Sequence, residues 1–134
     1  MLNPYLQKYA DILVNYCIKA RRGQRIVIQG DILSEPLLKE VYVSALKAGS
    51  YPMVRPMFDD WESAFFQHAS QEQIDYLPSV LVEEARYWDA RIVIAGSRNR
   101  KSASNVDPQK MIARSRAMRP IMDIYIDREQ KGEF

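Results

Sequence analysis

Two uninterrupted apolar runs, Ile26-Val27-Ile28 and Ile92-Val93-Ile94, stand out from an otherwise mixed pattern of hydrophobic and polar positions. Each is introduced by an arginine (Arg25, Arg91) and followed two residues on by a glycine (Gly30, Gly96). Continuous runs of this length and β-branched character predict strands over 25–30 and 91–96, buried on both faces as in a parallel sheet. After the first run, Leu37, Leu38, Val41, Ala45 and Leu46 recur at the spacing of one helical face. Ser34 is placed to cap that helix, Pro36 falls in its first turn and Gly49 suits the left-handed residue that closes it. A further extended stretch, 52–57, contains Pro52 and Pro56, which cannot donate to a ladder, so it is expected at an edge. Strand, helix and strand form a βαβ unit. With the proline-bearing strand at an edge and the first strand central, the predicted order is 2-1-3.

The remaining segments read mainly as helices. Residues 3–20 form an amphipathic pattern capped by Asn3, with Tyr5, Leu6, Tyr9, Ile12, Leu13, Tyr16 and Cys17 on the expected apolar stripe and Gly23 ending it. Cys17 is accordingly expected as a small buried hydrophobe. Asp59 with Glu62, and Ser70 with Gln73, fit capping boxes. The helices they open should end near His68 and Pro78, and a third runs from Val80 to Tyr87. Asp107-Pro108 opens a helix reaching about Met118. Residues 121–130 are open to two readings: Ile121, Ile124, Tyr125 and Arg128 suit a helix, which is favoured, while Ile124-Tyr125-Ile126 also suits a strand. The expectation is a single α/β domain over residues 1–134, a three-layer, Rossmann-like arrangement with a small parallel sheet flanked by helices.

Composition narrows the function without naming it. A chain of 134 residues, 47% hydrophobic and 27% charged, has the size and balance of one soluble globular domain. No run approaches the roughly 20 apolar residues of a membrane span, and the start Met1-Leu2-Asn3-Pro4 is no secretory signal. The single cysteine points to a reducing, cytoplasmic setting. A net charge of +2 does not suggest a nucleic-acid partner. Charge is unevenly spread: from Asp59 to Ala90 acidic residues dominate, with Arg86 the one basic residue, and from Arg91 to Arg119 basic residues dominate, with Asp107 the one acid. The expectation is that the two segments neutralise each other or cover solvated faces, the other readings being a polyanion site on the basic segment and an interface with another chain or a missing domain.

Candidate chemistry is sparse. One His (His68) and one Cys cannot build the usual nitrogen and sulfur zinc site. The neighbouring carboxylates Asp59-Asp60 and Glu83-Glu84 diverge on a helix and do not converge on one ion, and no serine stands in a Gly-x-Ser-x-Gly setting. What remains is geometric, because open parallel sheets bind ligands beyond the carboxyl ends of their strands. Here that rim comprises Gly30 and Asp31 after the first strand and Gly96, Ser97, Arg98 and Asn99 after the third, with Asp59 past the second. The turn Gly30-Asp31-Ile32-Leu33-Ser34 lacks the further glycines of a dinucleotide loop. That absence favours a plain βα turn with Asp31 and Ser34 as caps, and a free-standing ligand- or nucleotide-binding α/β protein remains the alternative function.

Taken in order, Gly23-Gln24-Arg25-Ile26-Val27-Ile28-Gln29-Gly30-Asp31, Ser34-Glu35-Pro36-Leu37, Ala45-Leu46-Lys47-Ala48-Gly49-Ser50-Tyr51-Pro52, Ala69-Ser70-Gln71-Glu72-Gln73, Asp89-Ala90-Arg91-Ile92-Val93-Ile94 and Val106-Asp107-Pro108 resemble the amino-terminal domain of the thermophilic-type (M29, aminopeptidase T-like) metallo-aminopeptidases. The closing Arg128-Glu129-Gln130-Lys131-Gly132-Glu133-Phe134 is similar to that family as well. The resemblance implies an enzyme that releases amino-terminal residues from peptides with a divalent metal pair, zinc or cobalt, and that forms homodimers. It also implies that the metal ligands and catalytic groups belong to a carboxyl-terminal domain. No catalytic or metal-binding residue is therefore assigned here, and no cofactor is expected in this chain. The expected partners are that catalytic domain and a second copy, met through the third strand or the helices from Asp107 onward, with Met118, Tyr125 and Ile126 exposed. Where the family pattern has Thr after the Asn of the third βα loop, Arg100 follows Asn99.

Overall fold

The run from Arg25 becomes the central strand of a parallel sheet because its side chains find apolar partners on both faces: Ile26, Val27 and Ile28 are all buried. In the computed structural model, which describes residues 3–94 and 106–134, the strands are β1 (Arg25–Asp31), β2 (Tyr51–Met57) and β3 (Ala90–Ile94). The order is β2-β1-β3, with both pairings parallel, giving an open α/β sheet flanked by helices. The described chain divides into two compact units, Met1–Asp59 with Trp88–Gly96, and Asp60–Tyr87 with Ser97–Phe134.

The first unit holds the sheet, α1 (Pro4–Asp11) continued by a π-helical turn (Ile12–Cys17), and α2 (Glu35–Lys47). Its core joins Ala10 and Val14 to Leu38, Val41 and Ala45 of α2 and to Ile26, Ile28, Ala90 and Ile92 of the sheet. Small residues dominate where α1 meets α2, which lets the two backbones approach. The Ser44 hydroxyl also donates to the Asp11 carboxylate at 2.7 Å. The predicted apolar stripe of the first helix is buried only in part: Leu13 packs against this core and Leu6 is half-buried. Tyr5 and Tyr16 are 83% and 80% exposed, and Tyr9 and Ile12 are also exposed. Cys17, expected inside, is exposed too, because the π turn (i→i+5 bonding) shifts the face that follows Ile12. Lys19, at φ 51°, lies just past this helix and before Gly23, in the left-handed region.

Most caps form at the predicted positions. Asn3 accepts from the Tyr5 N–H as expected. Ahead of α2, however, Ile32–Ser34 form a 3₁₀ turn capped by Asp31, whose carboxylate accepts from the Leu33 N–H at 2.8 Å, and Ser34 makes no side-chain cap. Gly49 closes α2 at φ 81°, where an L side chain is strained. In β3, Ala90 and Ile92 are buried, Arg91 and Val93 are exposed and Ile94 is half-buried. The expectation of burial on both faces fails there: the face carrying Ala90 and Ile92 packs into the core, while the face carrying Arg91 and Val93 is open.

The second unit is helical: α3 (Trp61–His68), α4 (Gln71–Asp75), α5 (Ser79–Tyr87), α6 (Pro108–Ala117) and α7 (Arg119–Gln130). Ser70 and Gln73 form the predicted capping box, and Asp107 caps α6 by accepting from the Gln109 N–H. The box predicted from Asp59 and Glu62 does not form. Asp60 occupies the cap position in a left-handed conformation (φ 61°) and makes no side-chain cap bond to the helix. Two of the basic side chains of α6 bond to main-chain carbonyls, while Arg116 lies exposed. Lys110 donates to the Phe66 carbonyl, and Arg114 to the carbonyls of Gln73, Ile74 and Tyr76. These carbonyls lie at the carboxyl ends of α3 and α4, where intrahelical partners run out and a cation is favoured.

Candidate functional site

The rim beyond the strand ends is where a ligand was expected, and its described part is structural. Strand β1 carries Gly30 to the carboxyl end of the sheet, between Pro56 of β2 and Ile94 of β3. A β-carbon on Gly30 would lie 2.7 Å from Leu38 Cδ2 and 3.2 Å from both Cβ and the carbonyl oxygen of Ile94. The glycine is there so that α2 and β3 can close on β1. Gly30→Ala is expected to destabilise the chain by about 1–3 kcal/mol through overpacking, read as a lower urea midpoint with unchanged slope. Asp31, half-buried, directs its carboxylate at the Leu33 amide. Gly96, Ser97, Arg98 and Asn99 lie outside the described residues, so half of the expected rim has no geometry to report.

At the opposite end of the strands, Asp89 receives Arg25 in a two-pronged pair. Nε donates to Oδ2 and Nη2 to Oδ1, both at 3.0 Å, and the Arg25 N–H adds a bond to Oδ2 at 2.9 Å. The Asp89 N–H returns a bond to the Arg25 carbonyl. This ties the start of β3 to the start of β1. Its planar geometry is that of a structural clamp.

A groove that the sequence did not indicate runs between α2 and the outer strand β2. It has a volume of about 610 Å³ and is lined chiefly by Ile32, Leu38, Tyr42, Pro52, Met53 and Pro56, with Glu35 and Lys39 as the charged members. Apolar walls with one carboxylate and one ammonium suit binding by shape, and they hold no nucleophile or general-base pair. In the second unit, His68 ends α3 and is exposed. It borders a depression of about 640 Å³ shared with Glu72, Tyr76 and Arg114. The Arg114 guanidinium in that depression is committed to its three carbonyls and to the Phe65 ring, 4.8 Å away.

Among the described residues no group of three or more His, Cys, Asp or Glu side chains could hold a metal ion. No helix among them is long and apolar enough to cross a membrane. Of the exposed apolar residues expected toward the carboxyl end, Ile126 is exposed, Met118 is half-buried, and Tyr125 packs its ring on Phe134 at 4.7 Å.

Residues 2–134 match the family model described as thermophilic metalloprotease (M29). Among solved structures, wild-type AmpT from Thermus thermophilus superimposes with a TM-score of 0.72, covering 91% of this chain and 33% of its own, at 21% sequence identity. At that identity the likeness is one of fold, and this chain spans a third of that protein's length. Comparison with curated proteins by sequence finds no match.

Proposed function

The chain belongs to the thermophilic metalloprotease (M29) family, and from that premise we propose that it is the amino-terminal scaffold and interface domain of a metal-dependent aminopeptidase. In this reading the whole enzyme releases amino-terminal residues from peptides, and a divalent metal pair and the catalytic groups are supplied by a segment beyond these residues. The observation that carries the reading is a mismatch. The family match runs over nearly every residue of the chain, yet the described residues bring together no set of side chains that fits a metal. Partial coverage of the longer AmpT supports it from a second direction. The metal that the family implies therefore does not fit the described residues, and no catalytic step is assigned to them. Their contribution is support: a parallel sheet pinned by the Arg25–Asp89 clamp, and helix ends tied by Lys110, Arg114 and Arg128. The exposed thiol of Cys17 fits a reducing, cytoplasmic setting.

The test is the size of the natural protein. Immunodetection in extracts of its source cells, with antibodies raised against this chain, is expected to reveal a species well above 15.6 kDa. Mass spectrometry should find these residues at its amino end. A natural species of 15.6 kDa, with none larger, would contradict the proposal.

A further inference from the structure

Main-chain polar groups alternate along a strand, one residue directing both toward one neighbour and the next directing both the other way. In β2 the phase is fixed by the Tyr51 N–H, which donates to the Gln24 carbonyl at 2.7 Å. The register then runs one-to-one from Arg25↔Tyr51 to Asp31↔Met57, without a bulge. Tyr51, Met53, Arg55 and Met57 therefore direct their amides and carbonyls at β1, while Pro52, Val54 and Pro56 direct theirs to the outer edge. Both prolines of the strand fall on outward positions. At an inward position either one would have removed a ladder bond. Of the three outward residues, Val54 alone carries an N–H.

An unprotected parallel edge beside apolar surface is where an extended segment of another chain adds as a further strand. Such a surface is present, since the groove along β2 exposes Tyr42 and Met53 next to Pro52 and Pro56. A strand added here would find acceptors at all three outward residues and a donor at one. We propose that Pro52 and Pro56 close the outer edge of β2 to strand addition, and that they keep a second copy of this chain from pairing there. The inference is independent of the proposed enzymatic context, because it rests on the ladder of β2 alone.

The experiment is the double variant Pro52→Thr/Pro56→Thr, which restores both amides on a residue suited to strands. Sedimentation velocity over a concentration series is expected to show a larger species in the variant at concentrations where the parent shows no such shift. Hydrogen exchange of the amides at positions 52 and 56 is expected to slow several-fold as concentration rises. Circular dichroism and a cooperative urea transition establish that the variant is folded. If the threonine pair fails to fold, Pro52→Ala/Pro56→Ala restores the same amides with less side chain to accommodate. A folded variant that sediments like the parent overturns the proposal. So does one that associates while the amides at 52 and 56 exchange equally fast at every concentration, since its contact would lie elsewhere.

Discussion

Ile28→Asp is expected to leave the chain without a cooperative unfolding transition at neutral pH. Ile28 is fully buried on the central strand, enclosed by the cluster that includes Val14, Leu38, Val41 and Ile92. A carboxylate placed there loses its water and gains no partner, and among the described residues no buried side-chain donor lacks a bond with which to receive it. The penalty belongs to the small class of substitutions costing more than about 4 kcal/mol. Against a typical total of roughly 5–15 kcal/mol, that is a large share of the stability, and nearly all of it at the lower end of the range. Urea unfolding followed by circular dichroism gives the readout. A sharp transition with a midpoint close to the parent would contradict the packing described. The control Ile28→Val, which removes one methyl, should cost only about 1 kcal/mol.

The second large effect is expected at Arg128, the most buried charge among the described residues at 9% exposure. Its Nη1 donates to the Ala85 carbonyl at 2.7 Å and its Nη2 to the Glu133 carbonyl at 3.1 Å, while the guanidinium lies 5.6 Å from the centre of the Phe134 ring. Ala85 sits in the last turn of α5, where carbonyls lack an intrahelical acceptor role, so this arginine supplies a bond the helix cannot make for itself. One side chain thus joins α5, α7 and the closing residues. Hydrogen bonds from a charged donor contribute roughly 1.5–3 kcal/mol each. Arg128→Ala is therefore expected to lower stability by about 3–5 kcal/mol, and Arg128→Met, which keeps an apolar stem, by somewhat less. Hydrogen exchange would show the loss concentrated in α5 and α7. Equal protection in parent and variant would mean that the three contacts contribute little.

The sequence made the sheet legible for a physical reason. A β-branched run between glycines has few alternatives to a buried strand, and prolines within 52–57 have few places outside an edge, so the order β2-β1-β3 followed. The cap chemistry of Asn3, Ser70 with Gln73, and Asp107 was equally readable, because it depends on neighbours within a few residues. Periodicity was a weaker guide to which side of a helix faces inward. Residues 3–17 carry a tyrosine-rich stripe and a small-residue stripe, and the close approach of α2 selected Ala10 and Val14 over Tyr5, Tyr9 and Tyr16. Long-range polar contacts left no local mark at all. Arg128 to Ala85, Arg114 to the end of α4, and Arg25 to Asp89 join residues dozens of positions apart, and a lone arginine looks the same whether it meets solvent or a carbonyl. The groove beside β2 was hidden likewise, because it needs α2 and β2 in place before its lining exists. Of the expected rim, Gly30 proved to be a packing residue and Asp31 a cap, while Gly96, Ser97, Arg98 and Asn99 fall outside the described residues.

On the proposed function, these residues would support a metallo-aminopeptidase without performing its chemistry. The most direct measurement is made on the 134-residue chain itself. Equilibrium dialysis against zinc or cobalt is combined with an assay for release of the amine from aminoacyl anilides. The expected result is no stoichiometric binding of a metal pair at micromolar concentrations and no turnover above that of the free metal ion. Binding of a metal pair together with hydrolysis of the anilide would contradict the account, because it would place the catalytic centre within this chain.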